Sequence, residues 1–207
     1  YLQGQPLDEH VAARGGWLPA TEVVSLARQA LSGLSVVHEA GIVHRDLKPS
    51  NLFVCTSGRL KLLDFGIIKL LEDATGIAPL AQPTRAGMAV GTPKYMSPEQ
   101  ATGKKISPQT DLYSVGAVIY FMLTGRCPFE HHTDVTSMLK AHLAENAIPP
   151  SRFAHEPISP RLDAVVLRAL NKAPADRYPS ALAMAGELYT LGSGFRELSV
   201  ELGLDQM

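Results

Sequence analysis

The segment His44-Arg45-Asp46-Leu47-Lys48-Pro49-Ser50-Asn51, followed further on by Asp64-Phe65-Gly66, concentrates carboxylate, amide, hydroxyl and ammonium groups into a short stretch of chain. Between them lie two β-prone runs, Leu52-Phe53-Val54-Cys55 and Leu60-Lys61-Leu62-Leu63, separated by Thr56-Ser57-Gly58-Arg59. These runs predict a β-hairpin. A two-residue Ser57-Gly58 turn pairs Thr56 with Arg59 and Leu52 with Leu63, and so sets Asn51 opposite Asp64. A carboxylate beside an amide carbonyl is a hard-oxygen set, suited to Mg2+ carrying the phosphates of a nucleotide. The competing reading is a polar hairpin end that faces water.

The two segments, in this order and with a hairpin between them, resemble the catalytic loop and metal-binding triplet of the protein kinase family. The resemblance implies that Asp46 orients a substrate hydroxyl and accepts its proton, that Asn51 and Asp64 hold Mg2+, and that Lys48 brings a cation near the γ-phosphate of ATP. Ser50 joins Lys48, Asn51 and Asp64 among the implied nucleotide-binding residues. A lysine two residues after the aspartate is the serine/threonine-type arrangement. Gly91-Thr92-Pro93-Lys94-Tyr95-Met96-Ser97-Pro98-Glu99 resembles the end of an activation segment, where Thr92 is expected to hydrogen-bond Asp46 and Lys48.

Ser97-Pro98-Glu99 stands where the family has Ala-Pro-Glu and leaves Glu99 to pair with Arg177 of Asp176-Arg177-Tyr178, a pair expected to be buried. Asp111-Leu112-Tyr113-Ser114-Val115-Gly116 resembles the family's Asp-x-Trp-x-x-Gly with Tyr113 in place of Trp, and Asp111 is expected to hold the catalytic-loop backbone. His44 is expected to be a packed, hydrogen-bonded structural residue. Tyr1-Leu2-Gln3-Gly4 resembles the hinge between kinase lobes, which sets Tyr1 and Leu2 beside the adenine with Phe53 as its floor. Arg45, next to the proposed base, marks kinases whose activation segment is ordered by phosphorylation, with Thr84 the first candidate site and Thr75 the second.

Several elements must position these groups. A three-and-four spacing of Val23, Ala27, Ala30, Leu31, Leu34 and Val37 predicts an amphipathic helix over 21–40, between Pro19 and Gly41. Residues 110–123 are apolar on nearly every side and predict a buried helix ending at Gly125. Further helices are expected over 135–142, 160–170 and 180–191, with 67–92 a long loop. The fold class is α+β: a C-terminal lobe of the protein-kinase type, mainly helical with a small catalytic hairpin. Its expected divisions are a hinge remnant at 1–7, the lobe at 8–191 with an activation segment at 64–99, and a tail at 192–207.

Nineteen Lys plus Arg against twenty Asp plus Glu leave a net charge of −1, which offers no basic excess for a nucleic-acid backbone or an anionic membrane. The apolar run at 115–123 falls short of the roughly 20 residues that a bilayer span takes. Cys55 and Cys127 form neither a zinc pattern nor a disulfide framework. With no export signal visible, the reading is cytoplasmic. His131 and His132, with His142 and His155, have no carboxylate or cysteine spacing typical of a metal site and read as surface residues. Gly192-Ser193-Gly194 lacks a third glycine and a preceding strand, and carries no weight.

The resemblance thus implies a serine/threonine kinase that uses ATP and Mg2+, with protein substrates bearing Ser or Thr acceptors. Its other implied partner is the N-terminal lobe of the same kinase, because a glycine-rich loop, a strand lysine and its helix glutamate are not found in these 207 residues. The isolated chain is therefore expected to bind ATP weakly and transfer phosphate poorly. One alternative is a non-catalytic interaction module, against which intact Asp46, Lys48, Asn51 and Asp64 argue. Another is a kinase-fold enzyme acting on a small molecule, against which the Thr92 to Glu99 segment argues.

Overall fold

The computed structural model describes residues 2–64 and 93–191 with side chains and 192–201 as helical backbone. Phe65, Gly66, Thr75, Thr84, Gly91, Thr92 and Tyr1, all singled out above, lie outside the described residues.

A three-stranded antiparallel sheet, β1 (Gly4–Pro6), β2 (Leu52–Cys55) and β3 (Leu60–Leu62), lies in that order against a helical body. The body comprises α1 (Leu7–Ala13), α2 (Ala20–Glu39), α3 (Pro98–Ala101), α4 (Pro108–Thr124), α5 (Val135–Ala144), α6 (Pro160–Ala169) and α7 (Ala181–Glu201). The mainly helical α+β class therefore holds. The last helix runs on to Glu201, past the Leu191 at which apolar periodicity stops, so the start of the expected tail is helical.

α4 is the central post. Its apolar residues point in all directions, and nearly its whole length is buried, with Leu112, Tyr113, Ala117 and Ile119 fully inside. Gly125 ends it with φ 69, and a Cβ there would come within 2.5 Å of the Gly16 carbonyl oxygen. α2 packs on α4 and α7, while α6 packs on α4 across Gly116, where a Cβ would lie only 2.7 Å from that of Ala169. Gly116 thus sets how closely those two helices approach.

The hairpin is present, with a different register from the expected one. Leu52 pairs with Leu62, Phe53 with Lys61 and Val54 with Leu60. The loop has three residues, Thr56-Ser57-Gly58: Gly58 takes φ 76, its N–H donates to the Cys55 carbonyl at 2.9 Å, and Cys55 N–H donates to the Arg59 carbonyl at 2.8 Å. A two-residue turn over Ser57-Gly58 puts Ser57 at positive φ, whereas this loop asks that only of glycine. The observed register also places Leu52, Val54, Leu60 and Leu62 on one face, toward the core, whereas the other sets Val54 against Lys61. Gln29 of α2 fastens the loop, its Nε2 donating to the Gly58 carbonyl at 3.2 Å and its Oε1 accepting from Leu60 N–H at 2.9 Å.

β1 forms where the sequence suggests only a hinge. Gly4 sits so close to β2 that a Cβ would lie 2.1 Å from the Val54 carbonyl oxygen. Any side chain there would push the strand away.

Candidate functional site

The loop between α2 and the short 3-10 turn Pro49–Asn51 has no ladder of its own, so its amides need other partners. Asp111, in the first turn of α4, supplies them: its Oδ2 accepts from His44 N–H at 2.8 Å and its Oδ1 from Arg45 N–H at 2.9 Å. His38 of α2 places Nε2 2.8 Å from the same Oδ2, so one buried carboxylate ties α2, the loop and α4 together. The fully buried His44 donates from Nε2 to the Leu63 carbonyl at 2.9 Å, and its Nδ1 faces Asp46 N–H at 3.4 Å. The expected structural roles of Asp111 and His44 hold.

Arg45 and Asp64 have φ of 67 and 48, the two positive values among described non-glycine residues, and both flank the site. Such backbone costs about 1–3 kcal/mol each, and the hydrogen bonds around it hold it in place. Part of that support reaches Arg45 from Gln100, whose Nε2 donates to the Arg45 carbonyl at 2.6 Å.

Three of the expected residues meet in this loop. Lys48 Nζ donates to Asp46 Oδ2 at 2.8 Å, and Asn51 Nδ2 donates to the same oxygen at 3.0 Å and to the Asp46 carbonyl at 2.7 Å. Asn51 is not set opposite Asp64, because the hairpin register is shifted by one residue. Its backbone carbonyl instead accepts from Leu63 N–H at 2.9 Å, while Asp64 follows β3 as an exposed residue. Asn51 is buried and Ser50 exposed on the same turn. Phe53 is half-buried on the sheet face away from the core, and Leu2 is exposed.

The segment that follows the undescribed residues is fastened to the body at each step. Lys94 Nζ donates to Glu130 Oε1 at 2.6 Å, Ser114 of α4 donates from Oγ to the Tyr95 carbonyl at 2.8 Å, and Ser97 and Gln100 form a capping box at the start of α3. Burial pushes the Tyr95 phenol far above its ordinary range, with Cys127 alongside adding to the effect. Next comes the buried Glu99–Arg177 pair, bidentate at 2.7 and 2.8 Å. All five guanidinium hydrogens are used, the others going to the carbonyls of Asn171, Gln109 and Lys172. Burial alone would raise the Glu99 carboxyl, but the hydrogen bonds and charge of Arg177, with Thr110, hold it below the usual range.

Residues 1–188 match the protein kinase domain family. The chain belongs to the protein kinase family. It is 42% identical over 203 residues to the serine/threonine-protein kinase pkn3 of Myxococcus xanthus, covering 96% of this chain and 36% of that protein. It is 38% identical over 194 residues to the kinase PknB of Mycobacterium leprae, and 38% identical over 200 residues to PksC of Streptomyces coelicolor. Those alignments cover 94% and 95% of the chain against 30% and 34% of the relatives, so the chain spans about a third of their length.

Against the kinase pattern, Tyr113 stands in place of tryptophan, and its hydroxyl lies 2.8 Å from Nδ1 of His142. His142 is therefore not a surface residue: it is fully buried, edge-on to Phe129, and burial lowers its pKa to about 4, with Lys172 adding to the shift. His155 stacks on Trp17. Sequence reasoning also missed Gln100 and His38. Gln100 leaves a legible trace, a glutamine three residues after a serine that precedes proline, but its reach to Arg45 is visible only in three dimensions.

Proposed function

We propose that this chain transfers the γ-phosphoryl group of ATP to serine or threonine hydroxyls of proteins, working with an N-terminal lobe that supplies the glycine-rich loop and its lysine. The observation that carries the reading is the Asp46 carboxylate, held at one oxygen by Lys48 and Asn51 in a loop that Asp111 clamps. Asp46 accepts the proton of the incoming hydroxyl as that oxygen bonds to the γ-phosphorus and the bond from phosphorus to the β,γ-bridging oxygen breaks, with ADP leaving. Lys48, in contact with the base, puts positive charge beside the group in transfer.

The donors fit Mg2+. Both Nδ2 hydrogens of Asn51 are directed at Asp46, which leaves Oδ1 as its ligating end, and Asp64 offers a carboxylate, so the set is of hard oxygens. Bound there, Mg2+ neutralises charge on the phosphates of ATP. The half-buried face of Phe53 suits an adenine floor; Tyr1, Leu2 and Ser50 are assigned to the nucleotide on the family pattern. Thr92 is assigned to the Asp46 and Lys48 pair on the family pattern. The names of the relatives, all serine/threonine-protein kinases, support the hydroxyl class of substrate.

The test is Asp46→Asn in the domain with its N-terminal lobe, assayed on a protein substrate. A general base of this kind accounts for roughly 10²–10⁴ in rate, and kcat is expected to fall by that factor. A fall of less than about tenfold in correctly folded protein would remove Asp46 from the role.

A further inference from the structure

Away from the catalytic loop, the turn after α4 and the end of α5 bring together two imidazoles and a carboxylate. His131 Nε2 lies 3.0 Å from Glu145 Oε1, and His132 Nε2 lies 2.8 Å from Glu145 Oε2. Glu145 is 13 residues from His132, a spacing that no short metal motif registers. We propose that His131, His132 and Glu145 form a binding site for a divalent transition-metal ion, with zinc the best fit.

The chemistry of the set selects the ion. Two imidazole nitrogens and one carboxylate oxygen are a borderline donor set that suits zinc and its neighbours better than Mg2+ or Ca2+, and three protein ligands leave a fourth position for water. One ligand atom from each residue lies within 4.8 Å of the other two. Zinc bonds of about 2.0–2.1 Å put tetrahedral ligands about 3.4 Å apart, so closure takes side-chain shifts of up to about 1.4 Å. All three side chains are partly exposed and free to make that adjustment.

The backbone on both sides is already fixed. Glu130 N–H donates to the Cys127 carbonyl and His132 N–H to that of Phe129, at 3.2 and 3.1 Å, while Glu145 N–H closes α5 on Ala141 at 2.9 Å. Adjacent residues of an extended strand point apart, whereas this turn brings the two rings together, tilted by 42° with centroids 4.1 Å apart. On metal uptake a neutral imidazole carries its proton on Nδ1, and a protonated one releases its extra proton to solvent.

The turn has a second attachment. Glu130 precedes His131 and receives both Lys94 Nζ at 2.6 Å and Cys127 N–H at 3.0 Å. A metal at His131 and His132 therefore stiffens the turn that holds the segment entering Ser97-Pro98-Glu99.

The experiment is titration of chelator-treated protein with zinc by calorimetry, alongside thermal unfolding with and without zinc. Wild type is expected to take up one equivalent in the micromolar range and to gain thermal stability. The His131→Asn, His132→Asn double variant is expected to bind roughly tenfold more weakly or not at all and to lose the thermal gain. Glu145→Gln keeps the side-chain shape and removes the charge, and is expected to weaken binding in the same direction. His155→Asn is expected to bind like wild type. Wild-type protein that takes up no zinc in the micromolar range, or a folded double variant that binds as wild type does, would overturn the proposal.

Discussion

Arg177 and Glu99 meet at 2.7 Å with side chains 0% and 3% exposed, while Lys48 and Asp46 meet at 2.8 Å with side chains 42% and 46% exposed. Length does not separate the two pairs; surroundings do. The inner pair has every guanidinium hydrogen placed and no room for a further partner. The outer pair keeps an open side toward solvent, which the role proposed for Asp46 requires. A paired charge that is fully enclosed acts on the stability of the fold, and one that is half open remains available for chemistry.

The contrast breaks if the inner pair proves dispensable. Glu99→Ala leaves Arg177 charged and enclosed, and is expected to cost about 3–5 kcal/mol of stability, read by denaturant unfolding. A Glu99→Met, Arg177→Met double variant removes both charges and is expected to cost less than either single change. Asp46→Asn provides the mirror image, with a rate loss equivalent to about 3–5 kcal/mol in the barrier and a stability change below about 1 kcal/mol.

Acid sharpens the comparison in two windows. The His142 pKa of about 4 is depressed from 6.5, so the unfolded chain binds the proton first as pH falls. Stability is expected to decline from pH 6.5 to about 4 by about 3 kcal/mol, and His142→Phe should remove that decline. Glu99 is also depressed, so its contribution is present above the ordinary carboxylate range and is lost as pH falls below it. The smallest effect is expected from Lys48→Met, whose exposed pair contributes at most about 1 kcal/mol to unfolding.

What was legible in the sequence was whatever a local pattern encodes. The buried post at α4, the amphipathic α2, the hairpin and the Glu99–Arg177 pair each follow from periodicity or from paired family motifs. The hairpin register was misread, although only the observed pairing sets Leu52 and Val54 beside Leu62 and Leu60. The turn length hid it. β1 was not legible, because three residues around Gly4 carry no alternation and become a strand only by lying against β2. The convergence of Asp46, Lys48 and Asn51 could be expected from their closeness in sequence. The bonds from His38 and Gln100 join residues far apart in the chain, and no spacing rule reports them.

The anchoring of the catalytic loop by Asp111 has a kinetic meaning. His44 and Arg45 belong to no helix or strand, yet their N–H groups end on a carboxylate rooted in the most enclosed of the described helices. To exchange those two hydrogens for deuterium, the loop must separate from α4, an opening closer to global unfolding than to loop motion. By that measure the loop belongs to the slow-exchanging core, and the base proposed at Asp46 is as durable in position as the fold.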